Sequence, residues 1–207
     1  MWLKQDQHPG DRLRLFREVG WHVHADRVLY PGSYVDVAAS FTFPSVTYVD
    51  SDDRAAAFFA DRDGVQELVG AQPGAPEDAT VTFIHSDYRA ALPVPTESCD
   101  LLVSLFAGFV SEFCTQYLRV GGALLVNPSH GDAAMASIDP ASSVAPTLTG
   151  MRMEPGPDPQ GAQDRQRFTR PWYQGPPSVS SSPMVLADRA SNNSSALFRP
   201  QRIVSPS

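Results

Sequence analysis

The stretch "LPVPTESCDLLVSLFAGFVSEFCTQYLRVGGALLV", residues 92 to 126, decides the fold class. It opens with a Pro-punctuated connection and runs into "CDLLVSLF", a nearly continuous apolar strand. Such a run is the pattern of a parallel strand buried on both faces. "VSEFCTQYLRV" follows with a helical pattern broken by Gly121-Gly122, and "ALLVNPS" supplies the next strand. Strand, helix and strand in this order form a right-handed βαβ crossover in a parallel sheet.

The same alternation extends upstream. "DRLRLFREVG" places Leu13, Leu15 and Phe16 near one helical face, with Gly20 as a stop signal. "DRVLYPG" is a short strand ending in a turn, and "VDVAASFTF" predicts two helical turns before Pro44. "SVTYVD" alternates β-branched and aromatic residues, as a strand does. "SDDRAAAFFADRDGVQELVG" predicts one helix, with Ser51 as its N-cap, acids in the first turn and Gly70 at its end. "TVTFIHSD" is the third strand. The expected fold class is α/β: a Rossmann-like, doubly wound, mostly parallel sheet with helices on both faces.

Downstream the composition changes. Residues 1–153 form the expected domain, and 154–207 are dominated by Pro, Ser, Gln, Arg and Asn. No hydrophobic period persists there, so the segment offers little apolar area against its ordering entropy, and a largely disordered tail is expected. "PWY" (171 to 173) and "PMVLA" (183 to 187) stand out in it as short docking pieces.

Three landmarks in residues 92 to 126 together resemble the second half of a class I S-adenosylmethionine-dependent methyltransferase: Leu-Pro-x-Pro, an Asp opening the fourth strand, and Leu-x-x-Gly-Gly before the fifth. Upstream, "VTYVDSD" resembles that family's second strand and "VTFIHSDYRA" its third, each ending in an acid. The resemblance covers roughly residues 10 to 140. It implies S-adenosylmethionine as cofactor, held where open parallel sheets bind ligands, outside the carboxyl ends of the strands at the switch point in strand order. On this basis Asp50 either accepts both hydroxyls of a ribose or caps the next helix. Asp87 either contacts the adenine amino group or makes an ordinary strand-end turn, and Tyr88 beside it could pack on the ring. Ser104, ending the fourth strand, joins these cofactor-facing positions. The family also adds an antiparallel pair of strands after the fifth, one of which "SVAPTLTGMRME" (143 to 154) is expected to supply.

"VLYPGSYVDVAASF", residues 28 to 41, departs from the family's glycine loop. Aligned on Gly32, the family carries an acid at position 30 and glycines at 34 and 36. Here these are Tyr30, Tyr34 and Asp36. Glycine permits positive φ and close backbone approach to a ligand. Gly32 and Ser33 could still offer N–H groups to the cofactor's carboxylate, while Tyr34 adds bulk where its methionine part would lie. The loop keeps the turn and loses the clearance.

"NPSHGDA", residues 127 to 133, gathers Asn127, Ser129, His130 and Asp132 after the fifth strand. A hydrolase triad is a poor fit, because neighbouring residues do not form a serial relay and no Gly-x-Ser-x-Gly elbow exists. His130 is the candidate general base of a methyl-transfer pocket, since an unperturbed imidazole titrates near neutrality; otherwise it belongs to a polar turn. "HVHAD" (22 to 26) puts His22 and His24 on one face only if extended, and at the wrong end of the sheet.

The chain of 207 residues has 42% apolar residues and a net charge of −7. An acidic surface without a basic patch argues against free nucleic acid as partner. Cys99 and Cys114 lack metal-ligand spacing and fit free thiols in a reducing compartment. No apolar run approaches the ~20 residues of a membrane span, and the N-terminus lacks a signal-peptide core, so a cytoplasmic location is expected. The expected activity is methyl transfer to an unknown small molecule or protein. The alternative is a non-catalytic Rossmann-like scaffold that binds a partner. A nicotinamide enzyme would need Gly-x-Gly-x-x-Gly, which is absent.

Overall fold

The computed structural model describes residues 10–105, 107–127 and 132, together with two further strands, Ser142–Ser143 and Val185–Arg189. In chain order the elements are α1 (Asp11–His22), β1 (Arg27–Pro31), a 3₁₀ turn (Ala38–Phe41), β2 (Ser45–Asp50), α2 (Asp53–Ala60), α3 (Arg62–Gly70), β3 (Thr80–His85), β4 (Cys99–Ser104), α4 (Val110–Cys114), a second 3₁₀ turn (Thr115–Tyr117), β5 (Leu118–Val126), β6 (Ser142–Ser143) and β7 (Val185–Arg189). The strands form one sheet in the order β3-β2-β1-β4-β5-β7-β6. The first five are parallel, and β7 is antiparallel to both β5 and β6. Order reverses between β1 and β4, which sets the switch point there.

Alternation along the strands divides the core in two. Val28, Tyr30, Val46, Tyr48, Leu101 and Val103 face α1, α2 and α3, meeting Leu15, Phe16 and Val19 of α1 and Phe59 of α2. Leu29, Val49, Leu102, Leu124 and Val126 face the other way, against Val110 and Cys114 of α4 and Leu92. All six residues of β4 are buried, as its unbroken apolar run requires. Phe59 stacks on Phe83 at 4.5 Å and on Tyr48 at 5.1 Å, an aromatic ladder that fixes α2 over β2 and β3.

Several local expectations are corrected. Helix α1 passes through Gly20, where a Cβ would lie 2.9 Å from Thr42 Cγ2; the glycine permits close packing and is not a stop. "VDVAASFTF" makes only the 3₁₀ turn. The single helix expected from residue 51 is two. Asp52, not Ser51, caps α2 by accepting from the Arg54 N–H, and Asp61 caps α3 by accepting from the Gly64 N–H. Gly121 and Gly122 lie inside β5, where the register with β4 shifts. Gly121 has φ +74°, and a Cβ on Gly122 would meet Arg119 O at 2.9 Å and Asp100 O at 3.0 Å. The pair serves a bulge.

The antiparallel pair is β6 and β7. β6 reaches only the first residue of the segment expected to supply it, and residues 144–154 lie outside the described residues. β7 comes from the Pro/Ser-rich stretch, overlapping the "PMVLA" piece, so the sheet draws on both sides of the boundary drawn at 153. Among the described residues no helix is long and apolar enough to cross a membrane.

At the amino edge of the sheet, buried Asp100 accepts from the N–H groups of Asp26 (3.1 Å) and Arg27 (2.8 Å) and from Arg119 Nε (2.6 Å), joining β4 to β1 and β5. Burial opposes its ionisation, but Arg119 and the two N–H groups outweigh burial and hold the carboxyl below its ordinary value. A depressed folded value means stability present above the unfolded value and lost as pH falls through the folded one. Asp100→Asn should therefore be less stable than wild type at neutral pH, with the two converging in urea melts as the pH falls through the titration of the folded carboxyl. A gap constant with pH would assign Asp100 a role of shape and not of charge.

Candidate functional site

The carboxyl edge of the sheet collects the ends of β1, β2, β3 and β4. After β1 the chain turns at Gly32, whose φ is +65° and whose N–H is donated to Val49 O at 2.7 Å. That N–H is therefore already committed to β2. Ser33 is buried, and its hydroxyl finds no hydrogen-bond partner among the described residues. Tyr34 has φ +49°, the left-handed conformation that a glycine would take without strain. Its N–H is donated to Asp50 Oδ2 at 2.7 Å, and its ring lies under the Arg54 guanidinium at 5.4 Å.

Asp36 and Tyr30, the other two departures from the family's loop, turn out to be partners. The Tyr30 hydroxyl donates to Asp36 Oδ2 at 3.0 Å, and Arg12 Nε of α1 lies 3.4 Å from the same oxygen. The Ala38 N–H donates to Oδ1 at 3.0 Å. Burial, with the Asp36 charge adding, pushes the Tyr30 phenol well above its ordinary value and keeps it a donor. The loop is thus rebuilt around a buried carboxylate in place of glycine flexibility.

Asp50 ends β2. Its Oδ1 accepts from the Asp52 N–H at 2.8 Å and its Oδ2 from Tyr34, so it pins the β1 loop to the β2–α2 turn. Each oxygen carries a second lone pair, and the residue is only partly buried. Asp87 lies two residues past the end of β3, not at it, and is held by Arg89, whose Nε lies 3.0 Å from both oxygens and whose terminal nitrogen lies 2.6 Å from Oδ2. Arg89 lowers its carboxyl below the ordinary value. Tyr88 reaches away from Asp87: its hydroxyl donates to Ala107 O at 2.5 Å, and its ring meets Phe113 edge-on at 6.3 Å.

Ser104 gives its hydroxyl to Asp132, a residue 1% exposed. Asp132 also accepts from the Ser111 hydroxyl and from the Ser111 N–H at 3.1 Å. The cluster ties the chain beyond β5 to the end of β4 and the start of α4. Ser104 is thereby engaged in structure, and Ser111 is a residue the sequence did not mark. The candidate base His130 lies outside the described residues, as does Ser129. His22 ends α1, so it does not share an extended face with His24. Cys99 and Cys114 are buried free thiols. Burial, aided by Cys99 and Asp132, pushes the Cys114 thiol up to about 12, leaving it a poor nucleophile.

No known family's sequence profile matches the chain, and no curated protein matches it. Solved structures do. A protein from Klebsiella pneumoniae, described as a candidate O-methyltransferase, superposes with a TM-score of 0.54 at 12% identity, over 87% of this chain and 80% of that one. The N-methyltransferase NodS from Bradyrhizobium japonicum gives 0.53 at 11% identity, over 90% and 99%. An rRNA methylase from Escherichia coli gives 0.50 at 13% identity, over 85% and 62%. The chain spans about half the length of others, 49%, 57% and 44% of three of them. Identities this low speak to fold alone. The fold is that of the class I S-adenosylmethionine-dependent methyltransferases.

Proposed function

We propose that the carboxyl edge of the sheet binds S-adenosylmethionine and that the protein transfers its methyl group to a small molecule or a protein. One observation carries this reading: Asp50 stands at the end of β2, beside the switch point, with a lone pair left on each carboxylate oxygen. Two vicinal hydroxyls of a ribose match two such acceptors. The Ser33 hydroxyl is a second fitting group, because a buried hydroxyl without a partner costs about 1–3 kcal/mol that a polar ligand atom would offset. The N–H groups of Gly32 and Tyr34 are committed elsewhere, so the Ser33 hydroxyl is a donor that this turn can offer to a carboxylate. When bound, S-adenosylmethionine supplies a sulfonium methyl for in-line displacement, chemistry in which positioning provides much of the catalysis.

Calorimetric titration with S-adenosylhomocysteine is the direct test, and micromolar-range binding is expected. Asp50→Ala should weaken it by about 1–3 kcal/mol, the cost of hydrogen bonds to a charged acceptor left unmade. Asp50 also anchors two loop N–H groups, so the same variant must be compared using adenosine and its 2′,3′-dideoxy analogue. Wild type should prefer adenosine, and Asp50→Ala should not. Equal discrimination by both proteins would leave Asp50 as a loop anchor.

A non-catalytic scaffold is the second reading, and one contact favours it. Ala107 packs directly on Gly32, on the side where clearance for the cofactor is needed. An absence of heat with either S-adenosyl compound at millimolar concentration would decide for the scaffold.

A further inference from the structure

We propose that the turn between β4 and α4, at Ala107–Phe109, is a gate over the switch point, held shut by the Tyr88 hydroxyl; the proposal rests on the cofactor reading of that edge. The contact that defines the closed state is close. A Cβ built on Gly32 would lie 2.2 Å from Ala107 Cβ and 3.3 Å from Ala107 Cα, so the Ala107 methyl fills the open side of the glycine. A ligand seated on that turn and this methyl exclude each other.

The latch comes from across the sheet. β3 and β4 are separated by β2 and β1, about three strand spacings of ~4.8 Å. Tyr88 nevertheless meets Ala107 O with its hydroxyl at 2.5 Å. Gly108 makes this possible: its φ is +90°, and a Cβ there would approach the Tyr88 hydroxyl to 3.1 Å. Among the described residues, the turn is otherwise held by the partial packing of Ala107 on the core face that carries Leu29 and Val49. Phe109 is 44% exposed, whereas the residues on either side are fixed: Leu105 and Val110 are buried, and Ser104 and Ser111 are bonded to Asp132. A short segment with a positive-φ glycine, flanked by fixed residues, can swing at the cost of the partial packing of Ala107.

If the open state binds, the apparent dissociation constant is the intrinsic one divided by the open fraction. Removing one hydrogen bond that exists only in the closed state should raise that fraction about 5-fold. Tyr88→Phe keeps the ring against Phe113 and removes only the latch. Methyl relaxation dispersion at Ala107 in the ligand-free protein, with Ala107→Gly to assign the resonance, measures the opening itself. The exchange contribution should be about 5-fold larger in Tyr88→Phe than in wild type, and S-adenosylhomocysteine should bind about 5-fold more tightly. Ala107→Gly, which removes the obstructing methyl, should also tighten binding. Flat dispersion in both proteins overturns the gate, and so does larger dispersion with unchanged or weaker affinity. Larger dispersion with no binding by any of the three proteins upholds the gate and sinks the cofactor reading.

Discussion

Asp36→Ala should lower stability by about 3–5 kcal/mol, measured by urea denaturation at neutral pH. The carboxylate is 4% exposed and gathers three groups that no other residue brings together. Its loss leaves the Tyr30 hydroxyl and the Ala38 N–H without their acceptor, and it removes the carboxylate beside the Arg12 guanidinium. Each unmade buried hydrogen bond costs about 1–3 kcal/mol, and a domain of this kind has only about 5–15 kcal/mol in total. Asp36→Asn should fall between, because its amide can accept on one side but must present N–H to a donor on the other. Arg12→Ala should cost least of the three, since the Arg12 side chain is 27% exposed and solvent takes over part of its role. An Asp36→Ala protein as stable as wild type would mean that the loop is held by packing alone.

The same residue shows where the sequence runs out. Asp36 reads as a glycine lost from a cofactor loop, because its partners are a strand residue and a helix residue far upstream. Tyr30 and Arg12 become its neighbours only once β1 and α1 are packed. Tyr34 reads as bulk in the cofactor's path. The structure gives it a left-handed backbone fixed by Asp50 and a ring set beneath Arg54. In contrast, the five parallel strands were legible, since apolar runs, alternation and strand-ending acids are properties of contiguous residues. Strand β7, between β5 and β6, was not, because its antiparallel pairing is a matter of backbone hydrogen bonds in a stretch of largely polar composition. The glycines misled for a related reason. Gly20 and Gly122 are small because of Thr42 and Asp100, contacts that sequence spacing cannot display.

Gly32→Ala should be the other strongly destabilising change, by about 3–5 kcal/mol, combining two separable costs. The first is local: φ is +65°, where an L side chain carries about 1–2 kcal/mol of strain. The second is a collision. The new methyl would sit 2.2 Å from Ala107 Cβ, far inside van der Waals contact, so the β4–α4 turn must move or the β1 loop must. Neither is free, since the Gly32 N–H is bonded to Val49 O and the turn is bonded to Tyr88. A double-mutant cycle separates the costs: adding Ala107→Gly should recover the collision and leave the backbone strain. Recovery of about half the loss is therefore expected in urea melts of the two single variants and the double. No recovery would place the whole penalty in the backbone of the turn. A Gly32→Ala loss of only the ~1–2 kcal/mol of backbone strain would show that the β4–α4 turn already stands away from Gly32 in solution, and the gate would then be open at rest.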